Sequence, residues 1–267
     1  MASHEHEALP DWSNQNDMKE ALSQCSGAIL AASGCEDNAL NCPGLLSREW
    51  LQCEQNIASV VSCRQQILKL SWTNGFVEKQ SVSAIGKANW ELEQELQKTF
   101  YEFPFNLTII RASTGMDTFL QGRLHTLIRG RTLSMSVKTG RIAFVHPLDI
   151  AECLSAILSL NKRDGFYKFT GPEAFSFQEV AKILSEGIGD TVTFSYFPLW
   201  AVQPARWVQG VPGDVTEEEL GVLRALEAGA QDEVETSGME KLMGHKPRTF
   251  REFVLENSDK WPRADPY

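Results

Sequence analysis

Short apolar segments alternate with amphipathic helical segments along most of this chain, and this alternation is its most constraining feature. A run of small and apolar residues at 27–33 precedes an amphipathic segment at 46–64; a second apolar run at 66–71 precedes a helical segment at 84–99. Apolar runs between helices are typical of buried parallel strands. Since strand–helix–strand units build parallel sheets, the sequence predicts an α/β fold with a mostly parallel sheet and helices on both faces.

The same alternation continues in the second half of the chain. Ser176 is the predicted N-cap of a helix that ends before Gly189, and Asp149 is the predicted N-cap of the helix before it. We expect one domain over 1–267, with a core at 9–160 and a small C-terminal substrate lobe mainly at 161–267. Further strands are predicted at 107–111, 141–145, 165–170 and 191–197, and further helices at 14–24, 216–228, 236–244 and 250–257.

Charge and composition narrow the classes of function. The net charge of −10 argues against broad binding to nucleic acid, which needs a clustered basic surface. No apolar stretch is long enough to span a bilayer and the first residues do not follow a signal-peptide pattern, so a cytoplasmic location is expected. The six cysteines form no C-x-x-C pair. Free thiols are therefore favoured over a zinc site.

Two motifs carry a resemblance to a known family. The segments FVHPLDIAECL (144–154) and FTGPEAFSFQEVAKILSEGIG (169–189) stand in the same order and spacing as in NmrA-like proteins. The chain therefore resembles this atypical short-chain dehydrogenase/reductase group, over roughly residues 11–257. The resemblance implies a Rossmann-like fold, and the group includes ergot-alkaloid-type reductases, nitrogen-regulation sensors and phenylpropanoid reductases.

The glycine-rich turn of that family has no counterpart in the sequence. Family members open with a strand, a G-x-x-G-x-x-G turn and a helix, which hold the diphosphate of NAD(P). No such motif occurs here, and the first family-like residues resemble the segment after the family's second strand. The expectation is that the first βαβ portion is missing and that no cofactor binds; a shortened gene product remains the alternative. A homodimer is expected to cover the sheet edge left open.

The catalytic positions also depart from the family. Its proton-donor motif, His-x-x-x-Glu, matches Asn89 to Glu93, and an asparagine is no general acid. Glu93 is either a base or an ordinary helix glutamate. Thr73 follows a predicted strand and is a candidate hydrogen-bond donor. His146 follows another strand and is a catalytic candidate, with a structural role as the alternative.

The predicted substrate pocket collects residues at the carboxyl ends of strands and in an aromatic segment of the lobe, because ligands of open α/β sheets bind at those ends. An apolar small molecule suits the aromatic segment, although core packing would also explain it. The predicted lining comprises Ser71, Trp72, Asn74, Thr114, Met116, Phe119, Phe197, Trp200 and Trp207.

These features lead to one main hypothesis and two alternatives. The main hypothesis is a cofactor-independent isomerase, lyase or cyclase of specialised metabolism that acts on an apolar small molecule by shape and hydrogen bonding. A Diels–Alder-type pericyclase is one version of it. The first alternative is a non-catalytic binding or regulatory protein. The second is an NAD(P)-dependent reductase with an unusual nucleotide site.

Overall fold

The computed structural model describes residues 15–23, 25–31, 48–62, 64–72, 76–160 and 165–262. The strands are β1 (Gly27–Ala31), β2 (Gln66–Trp72), β3 (Leu107–Ala112), β4 (Thr132–Met135), β5 (Phe166–Phe169) and β6 (Thr193–Tyr196). The helices are α1 (Gln15–Ser23), α2 (Arg48–Val60), α3 (Ala84–Thr99), α4 (Gly122–Arg129), α5 (Pro147–Ser159), α6 (Phe177–Ile188), α7 (Leu199–Val208), α8 (Gly213–Glu227), α9 (Ser237–Met243) and α10 (Phe250–Glu256).

The main sheet is parallel and has the order β1-β2-β3-β5. Alternate residues of its strands face opposite sides. Ile67 and Ile109 face a core shared with Leu92 and Leu96 of α3. Leu68, Leu70, Ile110 and Ala112 face a second core, which α5 and α9 complete. Helices therefore cover both faces, and the predicted fold class is confirmed.

A second structural unit, the lobe, lies beyond the carboxyl ends of the main strands. Its two-stranded sheet pairs β4 with β6 in parallel. Its core is rich in phenylalanine: the rings of Phe119 and Phe144 lie edge to face at 5.0 Å between centroids, and Phe250 packs against both. The chain reaches the lobe from β3, returns to the main sheet at α5 and β5, and enters the lobe again at α6.

Two local predictions need correction. The segment 141–145 is no continuous strand; Ile142 and Val145 form isolated bridges to three different segments, so no ladder extends. His146, and not Asp149, is the N-cap of α5, because its ring Nδ1 accepts the N–H of Leu148. Asp149 instead lies in the first turn and accepts the backbone N–H of Arg248 at 2.7 Å.

Other local predictions are confirmed. Ser176 and Glu179 form a capping box at the start of α6, and Gly189 ends this helix in the left-handed region at φ 74°. Thr249 caps α10 in the same way. Among the described helices, none combines the length and apolar character needed to cross a membrane.

Candidate functional site

The carboxyl edge of the main sheet is where the lobe joins the core. Beyond β3 the chain forms a parallel bridge between Gly115 and Val145. The N–H of Met116 donates to the carbonyl of Val145 at 2.9 Å, and the N–H of Val145 donates to the carbonyl of Thr114 at 3.0 Å. Asp117 and His146 follow this bridge directly, so both lie at the same edge.

His146 is a buried, neutral candidate at this edge. Since a backbone N–H can only donate, the bond from Leu148 to Nδ1, at 3.1 Å, places the proton of the neutral ring on Nε2. Burial lowers the pKa of His146; Asp149 opposes this shift and Arg248 adds to it. The ring also packs edge to face on Phe253 at 5.6 Å. His146 thus caps α5 with Nδ1 and keeps an N–H donor at Nε2.

Asp117 was not singled out in the sequence. It is the second residue of a 3₁₀ turn, Met116–Leu120, and its carboxylate is exposed to solvent. Protein atoms around it still remove part of its hydration, and this desolvation raises the pKa of Asp117. A backbone hydrogen bond and the charge of His146 lower the pKa, but their effect is smaller. The signal available in the sequence was a carboxylate three residues after a strand-end threonine.

Gln231 reaches the same edge from the segment before α9. Its Oε1 accepts the backbone N–H of Thr114 at 3.2 Å, the hydroxyl of Thr114 at 2.7 Å and the hydroxyl of Ser113 at 3.3 Å. Because the backbone N–H of Thr114 must meet an oxygen, the orientation of the amide is fixed. Its Nε2 is a buried donor with no partner among the described residues. We call Thr114, Asp117, His146 and Gln231 the carboxyl-edge cluster.

Asn89 and Glu93, the predicted catalytic pair, lie instead in a buried polar network between β2 and α3. Lys69 Nζ donates to Glu54 Oε2 at 2.6 Å and to Asn89 Oδ1 at 3.1 Å. Glu93 accepts the hydroxyl of Ser71 at 2.7 Å, and it pairs with Arg111 at 2.7 Å. Asn89, Glu93 and Ser71 are thereby held inside the helix–sheet interface, with Lys69 fully buried beside them.

Met116, Phe119 and Phe197 lie in or against the same lobe core, whereas the two predicted tryptophans Trp200 and Trp207 lie apart from it. Met116 and Phe119 are fully buried in the lobe core, and the carbonyl of Phe119 accepts the indole N–H of Trp261. Phe197 lines a cavity inside the lobe. Trp200 and Trp207 lie on the outer surface of α7, 79 % and 80 % exposed.

Part of the predicted site cannot be compared with the structure. Thr73 and Asn74 lie outside the described residues, as does the side chain of Trp72.

Within the described residues, no group of three or more histidine, cysteine or carboxylate side chains could hold a metal ion. Cys153 is a buried free thiol whose pKa burial raises to about 12, and Cys25 is exposed.

The N-terminus of α3, which follows β2, is a helix end that we compared with the needs of a nucleotide diphosphate. A diphosphate at a helix N-terminus needs open backbone N–H groups. Here the N–H of Ala84 donates to Glu218 Oε2 at 2.7 Å, and the hydroxyl of Ser83 donates to Oε1 of the same carboxylate. Because Glu218 already occupies this position, the end of α3 does not fit a diphosphate.

Two curated proteins are similar to this chain in sequence. The oxidoreductase YesF of Bacillus subtilis is 28 % identical over 188 residues, which are 69 % of this chain and 64 % of that protein. Agroclavine dehydrogenase of Claviceps fusiformis is 26 % identical over 162 residues, 59 % of this chain and 56 % of that enzyme. The chain thus spans less than two thirds of the length of these curated relatives. No family model matches it.

Solved structures show the fold. The NADPH-dependent quinone oxidoreductase QOR2 of Escherichia coli, in complex with NADPH, has a TM-score of 0.70 at 16 % identity, with 92 % of this chain and 81 % of that chain covered. The triphenylmethane reductase of Citrobacter sp., in complex with NADP(H), has a TM-score of 0.69 at 15 % identity, with 93 % and 81 % covered.

These relatives overturn the main functional hypothesis from the sequence. The prediction of a cofactor-independent isomerase, lyase or cyclase is wrong, because the similar proteins are an oxidoreductase, a dehydrogenase and reductases, two of them solved with NADPH or NADP(H). The missing glycine motif and Asn89 had led to that prediction. The chain has the Rossmann-type fold that these NAD(P)-binding neighbours share.

Proposed function

We propose that this protein is an NAD(P)-dependent reductase with an unusual nucleotide site, which reduces a small organic substrate at the carboxyl edge of its main sheet. The observation that carries the proposal is the carboxyl-edge cluster. It lies where open α/β sheets bind their ligands, in a fold whose neighbours include reductases that bind NADP(H).

The cluster supplies what a reductase needs on its substrate side. Reduction of a carbonyl or a conjugated bond requires a proton for the oxygen or carbon that gains electron density. Asp117 is exposed to a ligand and its raised pKa retains a proton more readily than an ordinary aspartate. His146 lies beside it, with its Nε2–H available for orientation. We assign Asp117 as the proton donor and His146 as the group that positions it.

The nucleotide must be held differently from the usual arrangement. The sequence has no glycine-rich turn, and Glu218 fills the N-terminus of α3. β1 is an edge strand within the described sheet, with Ile29 45 % exposed. In doubly wound folds the nucleotide binds at the carboxyl ends of the strands, where the strand order reverses. We place the proposed nucleotide site next to β1, at the open edge of the described sheet.

Turnover tests this function. Purified full-length protein is mixed with NADPH and either menadione or malachite green, and the absorbance of NADPH is followed. The expected result is NADPH consumption that needs both protein and acceptor. In Asp117→Asn, kcat should fall at least about tenfold, within the range for loss of a general acid, with little change in KM. The matched control is Asp214→Asn, an exposed aspartate in the first turn of α8.

Two results would overturn the assignment at different levels. No NADPH consumption with any acceptor, together with no NADPH binding, would remove the reductase proposal. Full activity of Asp117→Asn would leave the reductase in place and show that the proton comes from another group.

A further inference from the structure

The lobe contains a cavity of about 250 Å³ between β4 and the helices α4, α7 and α8. None of its lining residues belongs to the carboxyl-edge cluster. Helix α8 contacts both places. Its Glu218 bonds to the start of α3, at the edge of the main sheet, and the next residue, Glu219, lines the cavity. The cavity is therefore a separate feature, one helix away from the edge of the main sheet.

One wall of the cavity carries two serine hydroxyls. Ser134 and Ser136 are two positions apart, at the end of β4, so they lie on the same face of the extended chain. Ser136 is only 7 % exposed. Within the part of the chain that the structure describes, neither hydroxyl makes a side-chain hydrogen bond. Since neither oxygen is among the described buried side-chain atoms that lack a partner, both hydroxyls are open to the cavity and can bond to a molecule inside it.

The opposite wall carries a buried ion pair. Arg206 donates to both oxygens of Glu219, at 2.7 and 2.6 Å, and to Gln209 Oε1 at 2.8 Å. The two charges of this pair offset each other, and Arg123 is a further charged residue of the lining. The carboxylate oxygens of Glu219 still have lone pairs with which to accept a hydroxyl proton. A ligand that carries a hydroxyl group can therefore hydrogen-bond to this wall.

The lining also includes apolar side chains, of which Leu124, Val202 and Leu223 are almost fully buried. Water is held poorly beside such surfaces, and its displacement by an apolar group is favourable. A volume of about 250 Å³ is near the lower end of ligand pockets. The fit is to a compact molecule, such as a single substituted ring.

We propose that this cavity binds a small molecule with a hydroxyl or carbonyl group on an apolar ring, and that Ser134 and Ser136 hydrogen-bond to that group. The site is independent of the proposed reductase activity. It holds whichever reaction the carboxyl-edge cluster catalyses, and its test does not involve NADPH.

The test uses phenol and toluene, which have nearly the same shape and differ in the hydroxyl. Protein with ¹³C-labelled leucine and valine methyl groups is titrated with each compound. Resonances of Leu127 and Val202, which line the cavity, should shift and saturate. Resonances of Leu68 and Leu96, in the two cores of the main sheet, should not move; they also report that each variant is folded.

The serine contacts are tested by the double variant Ser134→Ala/Ser136→Ala. The ratio of phenol to toluene affinity should fall about fivefold, as expected for one lost net hydrogen bond. The control Ser159→Ala, on the exposed surface of α5, should keep the ratio of the native protein. Ala205→Phe should abolish both titrations, since Ala205 lines the cavity. The proposal is overturned if phenol does not shift Leu127 and Val202, or if the double variant keeps the native ratio.

Discussion

Gln231 fixes Thr114 at the carboxyl edge, because its Oε1 accepts both the backbone N–H and the hydroxyl of that residue, at 3.2 and 2.7 Å. This contact joins residues 117 positions apart in the chain. The segment before α9 is thereby attached to the end of β3, beside Asp117 and His146. The stability of this contact determines how firmly the lobe and the main sheet are joined.

Gln231→Leu should lower the free energy of unfolding by about 1–3 kcal/mol, because the buried donors of Thr114 would lose their acceptor. Guanidinium unfolding followed by far-UV circular dichroism measures this change. Gln203→Leu, an exposed glutamine on α7, is the control and should stay within about 0.5 kcal/mol of the native protein. Equal stability of the two variants would show that the Gln231 contact contributes little.

Lys69→Met should be one of the most destabilising single substitutions. It leaves the carboxylate of Glu54, which is almost fully buried, without its ammonium partner at 2.6 Å. Breaking one side of a buried ion pair costs about 3–5 kcal/mol, whereas replacing both sides by apolar residues often costs much less. Urea unfolding should therefore find Lys69→Met/Glu54→Leu more stable than Lys69→Met alone. The reverse order would contradict this account of the network.

As a control for charge removal, Lys87→Met removes a lysine that is exposed and lies 4.0 Å from Glu91. Its effect should be within about 0.5 kcal/mol, since exposed pairs of this kind contribute little.

Gly171→Ala should destabilise the junction with the lobe by about 1–3 kcal/mol, the usual range for overpacking. A Cβ at this position would lie 1.8 Å from the carbonyl oxygen of Phe144, which is backbone and cannot rotate away. Gly165→Ala is the matched control, because nothing lies within 4 Å of a Cβ there. Thermal unfolding of both variants measures the difference. A Gly171→Ala protein as stable as Gly165→Ala would contradict the close approach.

His146 should make stability depend on pH. Burial lowers its pKa in the folded state below the ordinary value of 6.5, so the unfolded chain binds the proton first as the pH falls. The stability due to the neutral ring is therefore complete above about pH 6.5 and is lost as the pH falls through the folded-state pKa. His146→Asn keeps an N-cap acceptor but does not titrate.

Chemical unfolding at pH 7.5, 6.5 and 5.5 isolates this contribution as the difference between the native protein and His146→Asn. The difference in free energy of unfolding between the native protein and His146→Asn should become smaller towards acid pH. The subtraction is needed because the pKa of the exposed His245 is raised by hydrogen bonds to the carbonyl of Lys246 and to Glu152, which gives the opposite dependence. A difference that stays constant or grows would show that His146 is not held neutral.

The fold was predictable because its strands and helices are encoded locally. The bounds of α3 agree with the predicted 84–99, and the capping box of Ser176 with Glu179 lies within four residues of sequence. By contrast, β4 was missed because its partner β6 is about 60 residues away in the chain. The helix α7 was missed because Pro204 stands inside it, where proline usually ends a helix.

The candidate site was less predictable, because it depends on pairings between distant segments. The sequence indicated that His146 lies near the carboxyl edge, although the strand predicted before it forms only isolated bridges. Gln231 could not be placed there, since nothing in its neighbourhood indicates a contact with Thr114. The matching of Asn89 and Glu93 to a catalytic motif did not reveal that Lys69 and Arg111 hold them in a buried network. Loss of a known motif was therefore a poor guide to the reaction.

Calorimetric titration of NADPH into the full-length protein tests the central claim most directly, since every step of the proposed reduction depends on that nucleotide. The account predicts a saturable heat of binding with one NADPH per chain, and a weaker or absent heat with adenosine alone. The absence of saturable heat at high micromolar protein would contradict the account.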